Sequence, residues 1–510
     1  MIRAPLDCYR GVWTQGIINM ALTLRQLLYR NYRGLFIPNS SSNTMFLLKA
    51  AASKFRGIAS KPTVTPSSSP LQAPLSQASV VANPPGVVPF DESINIARIR
   101  DEDGDHFQCD EEPFMLGVPY APGYMPIQFG TILVGEKAQY KVLRKLGWGT
   151  TSSVWLAQRV ESSDESFVAI KVLTCSGSAA IFQEFNYELV AFASMDLDTK
   201  DHPGKAFCVR NVETFATDSE HGGHLCIVTE PYAVFLPLTR ELPVKGFVRS
   251  PFAKTVIKQV LLALDFFHSL GFVHTDIKAD NLLIPLSGHH KDIAAWLKDY
   301  PSSTYPPRNE PALWPVPIVT SKTEPIPPLG LTSPEGLVVH LADYGSSIPV
   351  FNITPGMCAM PTILRAPEII LEHTWGKPVD VWAVGCLTLE LLTGQPIFNI
   401  DRTDDLSFTD VHLARIAELA GPFPPQFLEA CKRRADFFGS AGDLLRPHSL
   451  PLQSSITDRL ASTGLCGEEL AGASDFILRA LTIDPSKRPS ASDLLADKWL
   501  QSGGFEQPPA

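Results

Sequence analysis

The sequence predicts an α+β chain of two unequal lobes. Three observations carry that expectation. Strand-like alternation and turn glycines crowd residues 130–229. A long helical period opens at Lys254, and helical spacing dominates after residue 360. Proline-rich stretches lie before the first lobe and inside the second, where linkers and inserts are expected. Hydrophobic residues make up 45% and charged residues 19% of the 510, which excludes a wholly disordered chain. A net charge of −10 argues against a nucleic-acid coat and agrees with a cationic partner. No apolar run reaches about 18 residues, so no membrane-spanning helix is expected. The nine cysteines are scattered without a C-x-x-C pair, so neither a zinc site nor a disulfide framework is expected.

Residues 1–60 carry eight Lys/Arg and one acid, Asp7. This leader reads either as a mitochondrial transit peptide or as a disordered basic tail. Residues 61–126 read as a Pro-rich and acidic linker. Seven acids fall within 101–112, a run expected to be solvated. The compact region is expected over 127–503, with the small lobe at about 127–232 and the large lobe at about 233–503. Within it, 139–146 alternates and reads as a strand, followed by a glycine turn and a second strand at 153–157. Further strands are expected at 167–173, 224–229 and 337–342. Helices are expected at 181–195 and 254–270. A Pro-rich insert, 285–336, interrupts the large lobe, with one short helix expected at 289–300.

Four local patterns carry chemistry. In Leu146-Gly-Trp-Gly-Thr-Thr-Ser-Ser-Val154, Gly147 and Gly149 let backbone amides approach phosphates closely, although the pattern also suits a plain hairpin turn. Val168-Ala-Ile-Lys171 ends a strand with a cation for phosphate oxygens. Its acidic partner is Glu188, with Glu184 as the competitor one turn earlier. In His274-Thr-Asp-Ile-Lys-Ala-Asp-Asn281, Asp276 suits a proton acceptor, Lys278 a phosphoryl-steadying cation and Asn281 a metal ligand. Asp343-Tyr-Gly345 follows a strand and offers a carboxylate for Mg²⁺.

Together and in this order, these patterns resemble the signature set of the protein kinases. The order continues with Ala366-Pro-Glu368, Asp380-Val-Trp-Ala-Val-Gly385 and Asp484-Pro-Ser-Lys-Arg-Pro489. The Ala-Pro-Glu and Asp-x-Trp motifs exclude small-molecule kinases. Lys278 resembles the Ser/Thr branch. Leu146-Gly-Trp-Gly-x-x-Ser-x-Val-Trp155, Thr275 in place of an arginine, and the 62-position step from Asn281 to Asp343 are similar to the SR-protein kinase branch of the CMGC group, most of all its divergent fungal members.

The resemblance implies a bilobal protein kinase fold and a Ser/Thr kinase using ATP and Mg²⁺, with a pseudokinase or scaffold as the alternative. It implies that Leu146, Gly147, Trp148, Gly149, Ser152, Val154, Ala169 and Lys171 enclose the nucleotide. Thr229 is implied as gatekeeper, with Glu230 and Tyr232 as hinge. Lys171 and Glu188 form the implied ion pair, Asp276 and Lys278 act at the acceptor, and Asn281 and Asp343 hold the metal. Protein substrates are implied, Arg/Ser-rich ones among them, with no direct nucleic acid or membrane partner and a monomeric state. The branch implies a cytoplasmic and nuclear location, whereas the leader points to mitochondria.

Two departures qualify the resemblance. Thr275 lacks the charge that grips a phosphorylated activation segment, so activity is expected without that phosphorylation. Gln395 stands where the branch has a substrate-docking acid. Asp401, Asp404, Asp405 and Glu418 are candidates to replace it, or are plain surface charges.

Overall fold

The computed structural model describes residues 97–502, apart from 102–103, 109–110, 119–120, 161–165, 184, 236–248, 287, 308, 310–313, 332–335, 355, 358, 399–405 and 447–451. The leader, the linker as far as residue 96, and Glu184 lie outside the described residues.

Strands β1 (Ala97–Asp101) and β2 (Gly104–Gln108) form an antiparallel hairpin. The small lobe is a six-stranded antiparallel sheet. Its strands are β3 (Ile132–Val134), β4 (Gln139–Gly149), β5 (Ser152–Arg159), β6 (Phe167–Leu173), β7 (Glu213–Ser219) and β8 (Gly222–Thr229), in the order β3-β4-β5-β6-β8-β7. Residues alternate between its faces. Tyr140, Val142, Trp155, Val168, Ile170, Val172, Cys226 and Val228 form one small core. Leu156, Leu173, Leu225 and Ile227 pack on the other face, into the main core. The glycine turn is tighter than expected: both glycines lie in β4, and Thr150 and Thr151 alone make the corner.

The helix expected at 181–195 is two helices, α1 (Cys175–Phe182) and α2 (Glu188–Leu197). The break has a local cause, because Asn186 Oδ1 accepts the Glu188 N–H at 2.8 Å and so opens α2 at the glutamate. Strand β9 (Tyr232–Val234) leads to the large lobe. There α3 (Arg249–Ser269) matches the expected amphipathic helix and buries Ala253, Val256, Ile257, Val260, Leu261 and Leu264. Short strands β10 (Phe272–Val273), β11 (Leu282–Pro285), β12 (His340–Leu341) and β13 (Ile348–Pro349) frame the loops between them. Strand 337–342 is shorter than expected. The Gln259 side chain takes the Leu337 carbonyl and the Val339 N–H, leaving two residues for the ladder.

The insert contains the expected helix, α4 (His290–Asp299). Beyond it the chain crosses to the small lobe. Arg144 on β4 donates to the carbonyls of Tyr300 and Glu324 at 2.7 and 2.6 Å and lies over the Trp296 ring. The expected solvated acid run is corrected at its end. Glu111 and Glu112 are buried, and both pair with Lys145, itself wholly buried. Composition suggests solvation, but a buried cation 34 and 33 positions away in sequence draws these two acids in.

After β13 come α5 (Pro367–Ile370), α6 (Pro378–Thr393), α7 (Phe408–Ala420) and α8 (Gly467–Ala480). Helix α6 is buried almost all round and packs on α3 and α8. A Cβ on Gly385 would sit 3.0 Å from Ala480 and Leu481, so this glycine permits the close α6–α8 contact. Among the described residues, no helix is long and apolar enough to cross a membrane.

Candidate active site

Sheet register assembles the first half of the site. Gly147 pairs with Val154, Val154 with Lys171, and Ala169 with Thr229, so four neighbouring strands present these residues side by side. Trp148 faces Ser153, and Gly149 faces Ser152. A Cβ on Gly147 or Gly149 would meet nothing within 4 Å, so this edge of β4 is open to a ligand's close approach. Tyr124 holds the corner from behind: its hydroxyl donates to the Gly149 carbonyl at 2.7 Å and its ring stands edge-on to Trp148. Leu146 and Tyr232 are half-buried against the main core. Thr229 donates its hydroxyl to the Glu230 carbonyl at 2.9 Å.

Lys171 Nζ lies 2.8 and 3.0 Å from the Glu188 oxygens and 2.8 Å from Asp343 Oδ1. Burial opposes the lysine's charge, but the carboxylates of Asp343 and Glu188 hold its pKa above the ordinary value. Lys171 in turn holds Asp343 down to about 2. Burial raises Glu188, against the pull of Lys171. The expected Lys171–Glu188 pair is therefore formed, and Asp343 joins it.

The second half is a loop between β10 and β11. Asp380, in the first turn of α6 and wholly buried, grips its backbone. Its Oδ2 accepts from His274 N and His268 Nε2, both at 2.8 Å, and its Oδ1 accepts from Thr275 N at 2.7 Å. This grip sustains Thr275 at φ 69°, a left-handed conformation that costs a β-branched residue about 1–3 kcal/mol. Burial lowers the His274 pKa and keeps the ring neutral. In that state Nε2 donates to the Ala342 carbonyl, and Nδ1 accepts from Asp276 N.

Held this way, Asp276 faces a cleft of about 580 Å³ lined by Tyr187, Thr275, Lys278, Ser346, Met357 and Met360, among others. Its Oδ2 accepts from Lys278 Nζ at 2.9 Å and Asn281 Nδ2 at 2.8 Å. Its Oδ1 is buried beside the cleft and has no hydrogen-bond partner among the described residues. Buried carboxylate oxygens are rarely left so, and a donor that reached this one would meet unused acceptor capacity. Asn281 spends its amide nitrogen on Asp276. The Ala342 N–H bonds the Asn281 carbonyl, which brings Asn281 next to Asp343. Asp343 itself is exposed at φ 60°.

Tyr344 is buried, edge-on to Phe192 of α2 and to His274, and its hydroxyl donates to the Leu341 carbonyl. It packs and ties Asp343 to the helix that carries Glu188. Glu368 and Arg488 form a wholly buried two-point ion pair, Nη1–Oε1 2.6 Å and Nη2–Oε2 3.0 Å.

Sequence reading gave Lys145 no role beyond its place in a strand, and it read Tyr124 only as part of an entry motif similar to the branch. Register shifts between Val142 and Arg144 and between Lys145 and Gly147 turn Arg144 and Lys145 both inward. Simple alternation does not reveal such a bulge.

A family described as protein kinase domain matches residues 140–305 and 331–500, more than half of the chain, and skips the middle of the insert. The serine/threonine-protein kinase SRPK of Physarum polycephalum is 28% identical, covering 74% of this chain and 89% of that protein. Protein kinase dsk1 of Schizosaccharomyces pombe is 26% identical over the same share, covering 83% of its own length. Human SRSF protein kinase 3 is 22% identical, again over 74% of this chain and 88% of its own.

Proposed function

Because the chain belongs to the protein kinase family and is a serine/threonine kinase with SR-protein kinase relatives, we propose that Mg·ATP is its phosphoryl donor and Arg/Ser-rich proteins are its acceptors. The observation that carries the catalytic part is Asp276 Oδ1, which lies beside the cleft and has no partner among the described residues.

Protein kinases use ATP and Mg²⁺, and the residues here fit both. The open edge at Gly147 and Gly149 leaves room for phosphates. Asp343 and the side-chain amide oxygen of Asn281, Oδ1, are hard oxygen donors, as Mg²⁺ requires. Among the described residues, no cluster of three or more His, Cys, Asp or Glu side chains could hold a metal by itself. That fits a cation that takes one or two carboxylates and completes its shell with phosphate and water. When bound, the nucleotide supplies the phosphoryl group and the metal offsets its charge. In the proposed roles, Lys171, held by Glu188, orients phosphate oxygens. Asp276 Oδ1 accepts the acceptor hydroxyl's hydrogen bond and then its proton. Lys278 stays on Oδ2 and steadies charge at the reacting end. Glu230 and Tyr232 offer backbone groups to the base, with Thr229 behind. Positioning supplies most of the effect.

Two acids support a cationic acceptor segment. Asp280 is exposed, four positions beyond Asp276, and Glu390 is half-buried near it. Burial, then the charge of Asp280, raises the Glu390 carboxyl. Neither has a cation partner among the described residues, and a guanidinium between them would relieve both effects. Of the acids considered as substitutes at Gln395, Glu418 is taken by Arg415 at 2.7 Å. Asp401, Asp404 and Asp405 lie outside the described residues. We expect Asp280→Asn combined with Glu390→Gln to raise KM for Arg-Ser repeat peptides about tenfold, with little change in kcat. An unchanged KM would remove the Arg/Ser part of the proposal and leave the kinase.

Thr275 supports the regulatory expectation. Its hydroxyl donates to the Ser346 carbonyl at 2.8 Å, and β10 pairs with β13, so neutral backbone contacts hold the start of the segment. Phosphatase-treated protein should keep its activity within about twofold. A loss of activity that returns on rephosphorylation of 343–368 would contradict this. For location we propose cytoplasm and nucleus, with the basic leader as the one feature pointing to mitochondria.

A further inference from the structure

Lys145 is wholly buried, yet it is a lysine two residues before Gly147. Its ammonium lies 2.5 Å from Glu111 Oε2 and also pairs with Glu112. The rings of Trp148 and Trp155 stand at 5.9 Å. Glu111 also reaches into the insert: its Oε1 accepts from Thr323 N at 2.6 Å, and its Oε2 from Thr323 Oγ1 at 2.7 Å. The insert then continues along β4. Thr323 bridges Lys145, and the Glu324 N–H bonds the Lys145 carbonyl at 3.0 Å. Phe114, Met115, Tyr124 and Ile318 pack beside this knot, with Trp148 and Trp314 against them.

Three segments far apart in sequence thus meet at one ammonium, immediately before the glycine turn. We propose that Lys145 is a positioning residue, which locks Glu111 and Glu112 and, from the insert, Thr323 and Glu324 onto β4 and thereby sets the height of the Gly147–Gly149 edge over the nucleotide phosphates. The proposal rests on the reading of that edge as the phosphate cover. Lys145 contacts no reacting atom, so its effect falls on nucleotide binding and leaves the chemical step nearly unchanged. The lock depends on charge. Burial lowers the Lys145 pKa to about 8, against the pull of Glu111. The cation is present below that pH and is lost as pH rises through it, leaving Glu111 and Glu112 facing each other. The nearby Arg144 does not replace it, because its guanidinium is turned to Glu324 and Tyr300.

The test uses the full chain. The Kd of Mg·ATP, and KM and kcat on one fixed peptide, are measured from pH 6.5 to 9.5 for the native protein, Lys145→Met, Lys145→Arg and Thr323→Val. Hydrogen exchange of 111–124 and 321–324 is read alongside. Lys145→Met should raise the Kd and KM for ATP about tenfold at pH 7, keep kcat within about twofold, and speed exchange in both segments together. The native KM should climb above pH 8, and Lys145→Arg should lack that climb. If Lys145→Met does not fold, Thr323→Val carries the test. It keeps the lysine pairs, removes the hydroxyl's bond to Glu111, and should raise KM about threefold. Native-like ATP binding in folded Lys145→Met, or in Thr323→Val when Lys145→Met fails to fold, overturns the proposal, as does an alkaline climb that persists in Lys145→Arg. Failure of the native protein to bind ATP would instead overturn the phosphate-cover reading.

Discussion

Asp276→Asn is expected to lower kcat by about 10²–10⁴ while the Kd of Mg·ATP stays within about twofold. The asparagine keeps the shape of the side chain. It can still accept from Lys278 and Asn281 through one oxygen, and it leaves the grip of Asp380 on the loop intact. What it loses is the carboxylate Oδ1 beside the cleft, which has no partner among the described residues. Rapid-quench measurement of single-turnover transfer, beside equilibrium ATP binding, separates the two quantities. A fall in kcat of less than about fivefold would mean that the acceptor proton goes elsewhere.

Arg488→Leu is expected to be the most damaging change remote from the cleft. Arg488 and Glu368 have no exposed side-chain surface, and the guanidinium also donates to the carbonyls of Pro378, Thr482 and Ile483. Removing one partner strands a buried carboxylate, which costs about 3–5 kcal/mol. The melting temperature should fall by roughly 5–10 °C. Glu368→Gln combined with Arg488→Leu should recover part of the loss, because the stranded charge is gone. Calorimetry of both variants checks this. Equal losses in the single and double variants would show that packing, not charge, dominates there.

The chemical site was legible because each role demands a residue type at short spacing. Asp276, Lys278 and Asn281 sit within six residues, and one loop brings them together. The Lys171–Glu188 pair was legible for a similar reason, as a strand end followed by a helix start. What stayed hidden depends on partners distant in sequence. Nothing local to 101–112 distinguishes acids that stay in water from Glu111 and Glu112, which find Lys145. The Pro-rich insert reads as a loop because its order comes from Arg144 and Lys145 on another lobe, not from its own periodicity. The two breaks from expected elements, at 185–187 and 337–339, come from single side-chain amides, Asn186 and Gln259. Each takes over backbone hydrogen bonds that a regular element would have made.

The most direct test is phosphoryl transfer by the native 510-residue chain to a library of Ser/Thr peptides with [γ-³²P]ATP, with Mg²⁺ and with the metal chelated. Mg²⁺-dependent labelling of serine or threonine is expected, strongest on Arg-Ser repeats, without prior activation. Binding of Mg·ATP with no transfer to any peptide would contradict it, and would leave the assembled site as a scaffold.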